Sequence, residues 1–151
     1  MVIPMKRPVA FFLFLLLPAS LLAQPHQARH ADEAAIQEVL VTAYVEGVFI
    51  HRDAEAVRKG FHPDFLMHVY HEGQLIQGSL DMWLERLGLD GTKNPKKIDY
   101  TIETIDVTGT TASVKMKLYE DTQQIYTDYF GLYRFEDGWK IVNKVFFSHD
   151  E

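Results

Sequence analysis

From about residue 98 to residue 148 the chain alternates apolar and polar side chains, and the alternation breaks only where turns are expected. Strands joined this tightly pair antiparallel, because a parallel connection needs a crossover of about a dozen residues or more. "TASVKMKLYE" is the cleanest stretch: Ala112, Val114, Met116 and Leu118 point one way, Lys115 and Lys117 the other. "KKIDYTIETIDVT" keeps Ile98, Tyr100 and Ile102 in phase and then slips to Ile105 and Val107. That slip predicts a bulge near Thr104, which bends the sheet. "QQIYTDYFGLYRFEDGWKIVNKVFF" reads as a long closing hairpin that turns at Asp137-Gly138.

The preceding half supplies helices to cover such a sheet. Asp32 is a candidate N-cap and Glu33 suits the positive end of the helix dipole. Ile36, Val39, Leu40, Ala43, Gly47 and Ile50 then recur at helical spacing as one buried stripe, with Tyr44 at its border. A short second helix is capped by Asp53 and stopped by Gly60, and "HPDF" reads as a turn. Two strands, about 65–71 and 74–78, turn at Glu72-Gly73, and Ser79 caps a third helix with Leu80, Trp83, Leu84 and Leu87 on its apolar face. The order α-α-β-β-α-β-β-β-β implies an α+β fold. We expect a cone-shaped, curved antiparallel or mixed sheet wrapped around three N-terminal-half helices, with a cavity at the wide end of the cone.

The first 23 residues have a different character. A basic head (Lys6, Arg7), the apolar run around "FFLFLLL" and small residues at Ala19, Ser20 and Ala23 are the layout of a signal peptide cut after Ala23. We therefore expect an exported protein, periplasmic or extracellular, with residues 24–31 as a disordered leader and 32–151 as one domain. Removing two of the 15 basic side chains moves the net charge from −6 to −8 against 21 acidic groups. An acidic chain without a basic stripe is a poor match for nucleic acid or anionic lipid. No nucleic-acid partner and no stable membrane anchor after signal cleavage are expected. The cysteine count of zero excludes disulfides and thiol chemistry. His68 and His71 fall on opposite faces of one strand, and His26 and His30 on a solvated tail, so neither a metal nor another cofactor is expected.

The segments "HRDAEAVRKGFHPDFLMHVYHEGQLIQGSLDMWLERL" and "YTDYFGLYRFEDGWKIVNKVFF" carry a resemblance. They resemble the nuclear-transport-factor-2-like superfamily and, within it, the branch called putative lumazine-binding, across nearly all of residues 32–151. The resemblance implies the same cone, often as a homodimer packed through the outer sheet face. It spans ketosteroid isomerases, cyclases, dehydratases and non-enzymatic binding modules, so it implies a fold more than a chemistry.

With a turn at Asp137-Gly138, one face of the closing hairpin carries Tyr126, Asp128, Phe130, Leu132, Ile141, Asn143, Val145, Phe147 and His149. We assign this face to the concave side; a three-residue turn with a bulge would instead put Asp128 outside. An acid and an amide among apolar side chains are either a satisfied structural feature or the polar end of a pocket. The pocket reading takes Tyr44, Trp83, Tyr126, Asp128, Phe130, Asn143 and Val145 as ligand-binding residues for a small, partly apolar molecule. A catalytic reading, by analogy with ketosteroid isomerase, makes Asp128 a base, His149 an acid, and Tyr44 or Tyr126 a hydrogen-bond donor. A third reading fills the cavity with the protein's own side chains. On the outer face Tyr129, Tyr133, Val142 and Phe146 are too apolar for plain solvent contact. A homodimer interface is the expectation there, with an exposed patch or membrane contact as the other readings.

Overall fold

The first helix starts before the expected cap. In the computed structural model, which describes residues 25–149, helix α1 spans Pro25–Val39 and runs straight into a π-helical stretch, Leu40–Ile50. Residues 25–31, expected as a disordered leader, are therefore helical. Proline suits the first position of a helix, where its missing N–H would have no partner anyway. Asp32, freed from capping, instead accepts hydrogen bonds from Arg134 Nη1 at 2.9 Å and Trp139 Nε1 at 3.1 Å. It ties the helix to the closing hairpin. The expected signal segment lies outside the described residues.

A π-helix bonds residue i to i+5 and turns less per residue than an α-helix. Its buried stripe accordingly differs from the α-helical expectation: Leu40, Ala43, Tyr44, Val45, Gly47 and Val48 are buried, and Tyr44 sits at the centre of the stripe instead of its border. Helix α2, Ala54–Gly60, is capped by Asp53, whose Oδ1 accepts from the amides of Glu55 and Ala56. It lies close on the π-helix, since a Cβ on Gly60 would come within 2.3 Å of Ala43 Cβ.

Strand β1, Phe61–His71, runs through the expected "HPDF" turn and breaks register between Phe61 and Leu66. It pairs antiparallel with β2, Gln74–Ser79, through Glu72 and Gly73, both in the left-handed conformation of a tight hairpin turn. Helix α3, Leu80–Leu87, is capped by Ser79 Oγ and buries Leu80, Trp83 and Leu84. Strands β3 (Ile98–Thr108), β4 (Thr111–Glu120), β5 (Gln123–Phe135) and β6 (Gly138–Ser148) complete one sheet in the order β2-β1-β6-β5-β4-β3. All neighbours are antiparallel except β1 and β6. The sheet is mixed and open, and its inner face packs on the helices, as the α+β reading expects. The bulge in β3 falls between Ile102 and Thr104, one residue from the predicted place.

The closing hairpin departs from prediction twice. Phe135 pairs with Gly138, so Glu136 and Asp137 form the turn, and Leu132 pairs with Ile141. Register then shifts, Gly131 pairing with Asn143, which leaves Val142 as the extra residue of a bulge. Beyond it the faces of β6 exchange. Lys144 and Phe146 point inward, and Asn143, Val145 and Phe147 point outward. Gly131 makes room for the change: a Cβ there would meet Asn143 Oδ1 at 2.7 Å.

Candidate functional site

The π-helix, β5 and β6 each send one polar group into the same buried spot. Tyr44 Oη donates to Asp128 Oδ2 at 2.8 Å and accepts from Lys144 Nζ at 2.7 Å. Lys144 Nζ also lies 2.9 Å from Asp128 Oδ1. This last contact has ion-pair distance but not hydrogen-bond alignment, so Oδ1 is left without a hydrogen-bond donor. We read it as an ion pair, because attraction at this distance survives misalignment. Tyr44 and Asp128 are 0 % exposed and Lys144 3 %. The three close into a ring.

Five aromatic rings box the ammonium group. Nζ lies 4.5 Å from the centre of Tyr44, 4.7 Å from Phe146, 5.5 Å from Tyr126, 5.6 Å from Trp83 and 5.9 Å from Phe130. Each ring face attracts a cation, by about 2 kcal/mol when water is excluded. Trp83 and Phe130 are buried, whereas Phe146, Tyr126 and the adjacent Phe49 are half-buried. Phe49 stands edge-on to Tyr44 at 5.2 Å and 6.2 Å from Tyr126. Phe49, Tyr126 and Phe146 thus border both the polar ring and the solvent.

Burial dominates the electrostatics. It pushes the Lys144 ammonium below its ordinary pKa, against the opposing pull of the Asp128 charge. It raises the Tyr44 phenol well above its ordinary value, and the nearby Asp128 charge adds to that rise. Burying an ion costs several kcal/mol, which partners recover only with very good geometry. A closed set of one base, one acid and one phenol can bind a polar oxygen or pass a proton between its members.

Five predicted residues come together here: Tyr44, Trp83, Tyr126, Asp128 and Phe130. Asn143 and Val145 do not, because the Val142 bulge turns them to the outer face. His149 is not beside Asp128 either. It is exposed on the outer side, with Nε2 2.8 Å from Gln124 Nε2 and 2.9 Å from Thr127 Oγ1. Lys144, which strict alternation with Val142 and Phe146 would place on the outer face, is the polar group of the ring that the sequence reading missed. The space facing Asp128 is also filled by rings where a cavity was expected. Two open surface concavities lie elsewhere: about 460 Å³ between α1 and β3, lined by His30, Glu33, Gln37 and Glu103, and about 330 Å³ beside Arg52 and Asp90. Of the expected outer row, Phe146 points inward and Val142 is the half-buried bulge residue. Tyr129, Tyr133, Val145 and Phe147 are among the exposed apolar groups of that face.

Comparison with known proteins agrees with this architecture. An aldolase of a Cladobotryum species, FrzH, is 29 % identical over 124 residues, covering 81 % of this chain and 98 % of the aldolase. A nuclear-transport-factor-2-like protein of Shewanella baltica OS155 superposes with a TM-score of 0.67 at 26 % identity, covering 83 % of this chain and 97 % of its own. A putative aromatic ring hydroxylase of Novosphingobium aromaticivorans shares the fold, with a TM-score of 0.57 at 20 % identity, over 80 % of this chain and 90 % of that one. The model of the family described as "Putative lumazine-binding" matches residues 31–147. The chain therefore belongs to the putative lumazine-binding family of the nuclear-transport-factor-2-like superfamily.

Proposed function

We propose that this protein is an exported domain that binds a small, partly apolar molecule at the Tyr44–Asp128–Lys144 ring. The observation that carries the reading is the burial of three ionisable groups in one aromatic box, with Asp128 Oδ1 lacking a hydrogen-bond donor. A purely structural core is better served by apolar side chains of the same volume. The ligand enters by displacing one or more of the half-buried rings Phe49, Tyr126 and Phe146. Its apolar body stacks in their place and its polar oxygen meets the Lys144 and Tyr44 donors. Export rests on the pattern of residues 1–23. Homodimerisation rests on the exposed outer-face row Tyr129, Tyr133, Val145 and Phe147.

Native mass spectrometry tests the binding. The wild type should gain mass from members of a library of small aromatic carboxylates and carbonyl compounds, and Lys144→Met should not. Equal gains in both proteins, or none in either, would remove the site.

Catalysis is a second reading, favoured by the similarity to the Cladobotryum aldolase. Asp128 would then act on a proton beside a carbonyl held by Tyr44 and Lys144. Turnover of an aldol should be lost in Asp128→Asn while its circular dichroism stays that of the wild type; retained turnover excludes this role.

A further inference from the structure

We propose that Lys144 is a nucleophilic amine that forms an imine with a carbonyl compound admitted to the aromatic box. The inference rests on the binding reading above and adds the substrate class and a covalent step. A lysine amine attacks carbonyls only as the neutral base, and desolvation is a general means of keeping it neutral. Lys144 is 3 % exposed, and its Nζ is boxed by five rings and held between two oxygen atoms. Burial lowers its basicity in the same direction. The remaining described lysines are exposed or half-exposed, and Lys115 and Lys117, for example, are engaged by the Glu103 carboxylate.

The neighbouring groups match the proton traffic of the reaction. Tyr44 relays a proton from the ammonium to Asp128, since Nζ donates to Oη and Oη donates to Oδ2, and the transfer leaves neutral Nζ. The Nζ lone pair forms the C–N bond as the carbonyl π pair moves to oxygen, which receives the proton back from Asp128. Tyr44 Oη, 2.7 Å from Nζ, is placed to donate to that oxygen in the carbinolamine. A second proton then passes from the nitrogen to Asp128 and on to the hydroxyl, which leaves as one water and gives the protonated imine, with no oxidant or reductant consumed.

The test uses the folded wild type, so it does not depend on any variant folding. The protein is incubated with benzaldehyde and sodium cyanoborohydride at neutral pH, which fixes an imine as a secondary amine, and the labelled lysines are mapped by peptide mass. Lys144 should label about tenfold faster or more than the exposed Lys59, Lys93 and Lys97. In the urea-unfolded chain that preference should vanish. If the exposed lysines label and Lys144 does not, the imine is excluded; benzaldehyde binding that still raises the melting temperature then leaves the binding reading standing. Absence of both label and thermal shift overturns the imine and counts against the binding reading as well.

Discussion

Lys144 and Asp128 approach to 2.9 Å inside the sheet, although strict alternation from Ile141 along β6 puts Lys144 on the opposite face. The single extra residue Val142 reverses the phase. Two strands thereby deliver opposite charges to one dry spot, where removing either partner strands the other. Asp128→Leu or Lys144→Met alone should each cost about 3–5 kcal/mol, whereas the double variant should recover most of that and fall short of the wild type only by the roughly 1–3 kcal/mol of a buried Tyr44 hydroxyl left without partners. Urea unfolding of the four proteins gives the coupling energy, and additive losses would exclude the pair as a buried ion pair.

Tyr44 predicts a pH dependence. Its folded pKa is raised by burial and by Asp128, so the folded state holds its proton longer than the unfolded chain, which releases it near pH 10. The stabilisation is complete below about pH 10 and declines as pH climbs toward the folded value. Tyr44→Phe should cost about 1–3 kcal/mol at neutral pH by leaving Asp128 Oδ2 without its donor. That difference should shrink above about pH 10. Lys144 has the opposite sign: its lowered folded pKa adds stability as pH rises toward its unfolded value, near 10.4. Melting curves of wild type and Tyr44→Phe across pH 7 to 11 check the point. A difference that stays constant to the alkaline end contradicts it.

Two glycines separate rigid packing from surface packing. A Cβ on Gly60 would meet Ala43 Cβ at 2.3 Å and Val39 Cγ1 at 3.2 Å, between two packed helices. Gly60→Ala should cost about 1–3 kcal/mol or more. A Cβ on Gly131 meets the exposed Asn143 side chain, which can swing into solvent, so Gly131→Ala should cost under about 0.5 kcal/mol. Chemical denaturation of both variants decides, and equal costs would mean that the helix contact is softer than its geometry.

The outer sheet face carries Tyr129, Tyr133, Val145 and Phe147, the last 63 % exposed. A charge placed in a dimer contact loses hydration without a partner. Light scattering should therefore give a dimer for the wild type and a monomer for Val145→Glu/Phe147→Glu, with little change in the circular dichroism of either. A monomeric wild type would contradict the homodimer.

Alternation and capping made most of the architecture legible. Asp53 and Ser79 cap α2 and α3 as read, and the β3 bulge is visible because Ile102 and Ile105 cannot share a phase. The β6 bulge is not visible in that way. Val145, Phe146 and Phe147 are apolar in either phase, so side-chain pattern alone does not choose which of Asn143 and Lys144 faces inward. The early start of α1 was hidden for a different reason. Asp32 has the chemistry of a cap, and only the fold brings Arg134 and Trp139 to its carboxylate. Tyr44 was legible as a helix residue beside the core; its full burial follows from π-helical turning, which α-helical periodicity does not register.

Ligand-induced melting shifts of the wild type and of Asp128→Leu/Lys144→Met, each with and without small aromatic carboxylates and aldehydes, bear on all of this at once. The apolar double variant should fold and lose the shift that the wild type displays. A double variant that keeps the full shift would place binding away from these residues; a wild type that never shifts would make the buried ring a structural part of the core.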